Sequence, residues 1–390
     1  MRRATILDYA CLAAACAAAG CLIWYEPAVV PDPLPRTKGL AARSLTEVLT
    51  LPEDEIDIGR AALLVAKEQR PDLELDEYLG RLDEMAASLR RRLPEGISAQ
   101  KAVVRLVEVV QPEGTPTPTA VRDTVPEGLP PQIDITRMLD GARGNCLGIS
   151  LLYLAVAERV GLPIHGVSAP EHFFVRFDDG VTRINIEPTL GGRVVPDRDY
   201  RDRRHISPDA EDRGVYLRTE SKRQVIASLI ANRAGYLALS GMPDAALEDA
   251  ERALAIKPYW PQAYVNRGLA HEMLERPRLA EKDYHTALQF DPNCAGALNN
   301  LAAMYVRRAT EGKSSETPRG LIESAEKNIA RALKMFPARS EFHETAAAVA
   351  AARGNLKRAA RHLRRAVQID PWNERYKNRL RTVEAQRGPR

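Results

Sequence analysis

The chain has 390 residues, enough for two or three domains at ~150 residues each, and its apolar content of 45% can fill real cores. Its 56 basic residues nearly balance 52 acidic ones for a net charge of +4, and the arginines are dispersed among acids. That pattern reads as solvated helix faces and excludes the basic stripe of a nucleic-acid-binding surface.

The N-terminus reads "MRRATILDYACLAAACAAAGCLIWYEP", a basic start followed by an apolar run from Tyr9 to Tyr25. A basic start and a short apolar core fit an export signal over residues 1–26. Two readings stand. "AAAGC" resembles a bacterial lipoprotein signal, which would make Cys21 a lipidated mature N-terminus. Alternatively, Ala4 to Tyr25 forms an uncleaved anchor of about 33 Å, with Tyr9 and Trp24-Tyr25 near opposite interfaces. Arg2 and Arg3 on the inside place the bulk of the chain outside the cytoplasm, attached to the membrane of a bacterial cell envelope. Residues 27–44, with "PAVVPDPLPR", follow as a stiff Pro-rich linker.

From residue 45 the pattern is helical. "PEDEIDIGRAALLVAKEQRP" opens on acids suited to a helix N-terminus and ends at Pro71. "LDEYLGRLDEMAASLRRRLP" spaces Leu75, Tyr78, Leu79, Leu82, Met85 and Leu89 by threes and fours. A third helix covers Ala99 to Val110. "PEGTPTPTAVRDTVPEGLPP" then holds six prolines in twenty residues, so it is a spacer or a lid over a site rather than regular helix.

Gly144 and Asn145 break the chain before an apolar helix running from Cys146 to about Val160. A thiol at a helix start is favoured as thiolate by the unpaired N–H groups and the dipole, and the same N–H groups can bind an oxyanion. "HFFVRF", "DDG" and "VTRINIE" read as a hairpin. A two-residue Asp179-Gly180 loop sets His172 opposite Glu187, with Cβ atoms ~5 Å apart. Phe173, Val175, Phe177, Ile184 and Ile186 then share a core face; His172, Arg176, Arg183, Asn185 and Glu187 share the other. Cys146 as nucleophile, His172 as base and Glu187 as its orienter make a thiol triad. Asn185, facing Phe174 in this register, is the second candidate orienter, and Asn145 a candidate oxyanion donor. The bland alternative is an ordinary polar strand pair. No metal or cofactor is called for: Cys146 and Cys294 are the only cysteines beyond Cys21, and "HEMLE" at His271 lacks the second histidine of a zinc motif.

These residues resemble the transglutaminase-like superfamily, in its bacterial SirB-type branch, over residues 45–200. The resemblance rests on "GNCLGISLLYLAVAERVGLP", a histidine in a "PGHF"-like strand, and an acid before proline in the next strand. It implies an α+β, papain-like domain: a helical N-terminal part plus an antiparallel sheet, with Cys146, His172 and Glu187 as the catalytic set. The superfamily includes transamidases, peptidases, amidases and inactive members. Glu171 stands where the family has glycine, and Glu187 where it more often has aspartate.

Residues 201–221 read as a linker, and repeats fill 222–390. "ALAIKP", "ALQFDP", "ALKMFP" and "AVQIDP" end at Pro258, Pro292, Pro337 and Pro371, at intervals of 34, 45 and 34 residues. The polar "RRATEGKSSETPRG" supplies the 11-residue excess. Alanines recur in register at 246, 280, 325 and 359, and at 253, 287, 332 and 366. A third register holds Ala234, Gly268, Ala302 and Ala347. Four such units resemble the tetratricopeptide repeat over 225–371, an all-α solenoid with "NERYKNRLRTVEAQ" as its polar cap. The resemblance implies a protein or peptide partner in the groove. Together these readings lead to a membrane-attached, cysteine-dependent amide hydrolase or acyl transferase. The alternative is a catalytically inactive scaffold that works through its repeats.

Overall fold

The computed structural model describes residues 37–112, 133–142, 144–311 and 317–387. The expected signal or anchor with Cys21, residues 27–36 of the first Pro-rich segment, nearly all of the second, and the middle of the polar insertion lie outside the described residues. Residues 37–44, expected to be linker, instead carry a short helix and put Ala42 into the core. Among the described residues no helix is long and apolar enough to cross a membrane.

Seven helices open the described chain: α1 (Thr37–Ala41), α2 (Leu45–Thr50), α3 (Ile58–Lys67), α4 (Leu75–Arg90), α5 (Ala99–Val110), α6 (Ile135–Leu139) and α7 (Cys146–Val160). The apolar residues of α7 cover its whole circumference, and nearly every side chain from Leu147 to Val160 is buried. A helix apolar all round must be wrapped. Helices α3 to α6 cover one side and a sheet covers the other. Asn145 caps the start of α7, its Oδ1 accepting from Gly148 N at 2.9 Å. Gly161 ends it in the left-handed region at φ 77°.

The sheet is antiparallel throughout, in the order β4-β3-β2-β1-β5. Its strands are β1 (Ile164–Ala169), β2 (His172–Asp178), β3 (Arg183–Glu187), β4 (Arg193–Val194) and β5 (Thr219–Glu220). The β2–β3 register corrects the sequence reading. Val175 pairs with Ile186 and Arg176 with Asn185, so His172 is not directly opposite Glu187 and Asn185 does not face Phe174. The loop is Asp179–Thr182, four residues instead of two. The Asp179 carboxylate makes the difference, accepting from Val181 N at 2.9 Å and Thr182 N at 2.6 Å. A slip of two residues preserves the pleat, so both expected faces survive. Phe173, Val175, Phe177, Ile184 and Ile186 pack on the α7 side.

The other face is covered by the stretch expected to be a linker. Helices α8 (Asp197–Arg204) and α9 (Pro208–Asp212) lie over it, and the same stretch ends in the edge strand β5. Tyr200, Ala210, Val215, Tyr216 and Leu217 pack with Phe174 into a second core. Residues 201–221 are thus part of the domain. Arg176, 1% exposed, holds this layer down. It donates to Asn185 Oδ1 (2.6 Å), Leu217 O (2.9 Å) and Asp197 Oδ1 (2.6 Å).

Four helix pairs follow: α10 (Lys222–Leu239) with α11 (Pro243–Ile256), α12 (Pro261–Met273) with α13 (Pro277–Phe290), α14 (Ala295–Glu311) with α15 (Pro318–Met335), and α16 (Ser340–Ala352) with α17 (Leu356–Ile369). Helix α18 (Glu374–Gln386) closes the array. Proline sits at the first helical position of α11, α12, α13 and α15, where its missing N–H costs nothing. The first two alanine registers are buried throughout at 0% exposure, which lets paired helices approach closely. At Gly268 a Cβ would lie 2.6 Å from the Tyr284 ring, so that position has room only for hydrogen.

The array is not a separate body. Val225, Ile226, Leu229 and Ile230 of α10 belong to the same core as α3 and α7. Beside them Lys257, buried, donates to Glu220 Oε1 (2.6 Å), Ser168 Oγ (3.2 Å) and Ser228 Oγ (3.3 Å), joining sheet to repeats.

Candidate active site

Cys146 is the first residue of α7, His172 the first of β2 and Glu187 the last of β3. The fold brings the three together. The Glu187 carboxylate only accepts, so His172 Nε2 carries the proton it donates to Glu187 Oε2 at 2.7 Å. The ring's other nitrogen remains for the Cys146 thiol, which lines the same cleft. The contact with Glu187 is diagonal across the ladder, and the longer arm of glutamate spans it.

Glu187 is held from four sides. Its Oε1 accepts from Thr189 N at 2.9 Å and from the Thr189 hydroxyl; its Oε2 accepts from Tyr200 OH at 2.9 Å besides His172. Burial alone would raise its pKa. The bonds and charge of His172 and the Thr189 donors outweigh burial and bring it down to about 2. Burial likewise works against a charged His172, but Cys146 and Glu187 prevail and its pKa rises. For Cys146, burial pushes the thiol up. His172, the Phe173 backbone N–H and the charge of Arg204 overcome that, so its pKa falls. All three shifts favour thiolate, imidazolium and carboxylate. Cys294, buried without such partners, has its thiol pushed well up by burial.

The other candidates have different employment. Asn145 is the cap of α7, and its carbonyl oxygen is taken by Gly148 N. Its NH2 makes no hydrogen bond among the described residues. Asn185 is not an orienter of His172. It accepts from Arg176 and donates to Val195 O (2.9 Å) and Asp197 Oδ1 (2.7 Å), anchoring the start of α8. Among the described residues no cluster of three or more His, Cys, Asp or Glu could hold a metal ion.

Sequence reasoning missed Thr189 and Tyr200. Tyr200 is the one aromatic in the otherwise charged α8, "DRDYRDRR", and that contrast was its signal. Its ring stacks on Phe174 with centroids 4.0 Å apart. Thr189 gave no signal beyond following Glu187-Pro188.

Glu171 occupies the turn between β1 and β2 at φ 51°, in the left-handed region where the family has glycine. That conformation costs a residue with a Cβ about 1 kcal/mol. Its carboxylate is drawn to Arg339, which precedes α16, at 2.7 Å. A cleft of about 410 Å³ lies over Cys146 and His172, and repeat residues help to line it.

Residues 76–231 match the transglutaminase-like superfamily, a span that ends inside α10. A UPF0162 protein of Xylella fastidiosa is 27% identical over 253 residues, covering 63% of this chain and 87% of that protein. A UPF0162 protein of Pseudomonas aeruginosa is 26% identical over 230 residues, covering 58% and 82%. Among solved structures, a thermophilic TPR protein of Thermus thermophilus superposes with a TM-score of 0.39 at 23% identity, over 42% of this chain and 83% of that one.

Proposed function

We propose that this chain, a transglutaminase-like domain joined to tetratricopeptide-like repeats, is a cysteine-dependent amide hydrolase or acyl transferase. The observation that carries the reading is the convergence of Cys146, His172 and Glu187 at one cleft, with His172 Nε2 bonded to Glu187 Oε2 at 2.7 Å. The Cys146 thiolate attacks an amide carbonyl carbon, and its new bond places negative charge on the carbonyl oxygen. The Cys146 N–H, unpaired at the helix start, and the Asn145 NH2 are the donors available to that oxygen. Imidazolium His172 gives its proton to the leaving nitrogen as the C–N bond breaks, leaving a thioester. Water or an amine then attacks the thioester, His172 takes the attacker's proton, and the thiolate departs. Glu187 keeps the ring in one tautomer and stabilises its charged form.

A thiol-reactive probe near neutral pH tests this. Labelling of Cys146 well ahead of Cys294 is the expected result. Equal slow labelling of both would reduce the domain to a scaffold, in which Cys146→Ala leaves every function intact.

We infer further that residues 1–26 attach the chain to a membrane, with its bulk outside the cytoplasm. Arg2 and Arg3 ahead of the Tyr9–Tyr25 apolar run support this, as does the small-residue run before Cys21. Alkaline carbonate extraction should leave the full chain in the membrane pellet, and its release into the supernatant would overturn the attachment.

A further inference from the structure

The cleft over Cys146 has two walls, and they come from different halves of the chain. One carries Asn145, Cys146, His172 and the Pro170-Glu171 turn. The other carries Asn232 and Tyr236 of α10, Gln262 and Asn266 of α12, and Phe336 and Arg339 ahead of α16. The walls are fixed to each other. Besides the Glu171–Arg339 ion pair, His205 Nε2 donates to Met335 O at 2.8 Å and its ring meets Phe336 edge-on. Asn293 Nδ2 donates to His205 O at 2.9 Å.

The lining offers a ligand little free charge. Glu171 and Arg339 neutralise each other. Asp291 is buried and saturated by Tyr216 OH (3.0 Å), Asn293 N (2.9 Å) and Ser207 Oγ (3.4 Å). Outside the Cys146–His172 pair, what remains is amide, aromatic and aliphatic, with Leu147, Leu239 and Ala295 among the last. Side-chain amides both donate and accept, as peptide groups do, while a polyanion would meet a single cation that is already paired. Asn232 is exposed; Asn266, one repeat length on, is buried behind the same wall, its amide donating to Ala231 O at 2.6 Å and accepting from Gln262 Nε2 at 3.0 Å.

We propose that the repeat array is the far wall of the catalytic cleft, so that the segment held by the repeats and the substrate of Cys146 are one neutral, extended polypeptide. This rests on the reading of Cys146 as a nucleophile and deepens it. The array selects what the thiol acts on, and no second partner is needed to explain the fusion of the two motifs.

Peptidyl chloroacetamides test it, since Sγ displaces chloride and the peptide part alone varies. Alkylation of Cys146 in the full chain is timed with chloroacetamide and with neutral peptidyl chloroacetamides of increasing length. The expected ratio of long neutral probe to chloroacetamide is roughly tenfold or more, corresponding to ~1.4 kcal/mol of recruited binding. Asn232→Arg, which places a long cation on the exposed far wall, should bring that ratio toward one, and Asn232→Ala should lower it partway. A wild-type ratio near one, a ratio untouched by Asn232→Arg, or a faster reaction with aspartate-rich or lysine-rich probes would overturn the proposal. Slow alkylation by chloroacetamide with the length effect retained would sink the enzymatic reading and leave the shared cleft standing.

Discussion

His172→Ala should abolish the low-pH reactivity of Cys146. The readout is the ratio of its iodoacetamide alkylation rates at pH 6.5 and pH 9.5, taken within each variant so that differences in intrinsic nucleophilicity cancel. An ordinary thiol with a pKa of about 8.5 is ~1% ionised at pH 6.5, which sets the ratio near 0.01. In the native chain His172 holds the Cys146 pKa below its ordinary value, so the ratio lies well above that figure. Without the imidazole, burial is the largest remaining influence and acts upward. The midpoint should therefore move above the ordinary value and the ratio fall to ~0.01 or less. Amide turnover, which also needs the proton that His172 carries, should drop by about 10²–10⁴. An unchanged alkylation profile would mean that the imidazole does not act on the sulfur.

The second large effect is on stability. Arg176→Leu should destabilise the domain by about 3 kcal/mol, measured as a shift in the urea midpoint at constant slope. The guanidinium is nearly inaccessible and serves three acceptors on separate segments: Asn185, Leu217 and Asp197. Removing it takes the guanidinium donor from the Asn185 side-chain oxygen and Leu217 O, and one of two donors from Asp197. The cost falls at the low end of the range for a broken buried pair, because the Asp197 side chain is 27% exposed and keeps Asn185 Nδ2 as a donor. The same change loosens α8, which presents Tyr200 to Glu187. Cys146 reactivity should therefore fall along with stability, and a variant of native stability would refute the role given to Arg176.

What the sequence revealed followed periodicity and chemistry. Helix α4 was legible from its apolar spacing, and α7 from its apolar run after the Gly144-Asn145 break. The repeats were legible because four units agree at buried alanines. The hairpin shows where such reading stops. Asp179-Gly180 looks like a two-residue loop, but the backbone gives no hint that the Asp179 side chain will gather Val181 and Thr182 into a wider one. The faces came out right because an even slip cannot invert them. The partner of His172 came out right because a glutamate reaches across the diagonal. Residues 201–221 were misread for a related reason. Helices of five and eight residues carry too few turns to show a stripe, and only the short apolar run Val215-Tyr216-Leu217 betrayed a buried segment. Thr189 and Tyr200 act through a carboxylate they meet only in three dimensions.

Helix α10 packs one side on α3 and on strands β1 and β5, and another on the helix pairs beyond it. Severing the chain before Lys222 would leave Val225, Ile226, Leu229 and Ile230 without cover on one fragment and strip their contacts from the other. The distal pairs of a solenoid can fray and re-form one at a time. The first pair cannot open without dismantling the pocket around the thiol, and the α15–α16 junction is tied to the domain through Glu171–Arg339 and His205–Met335, so breathing is confined to the end of the array beyond that second tie.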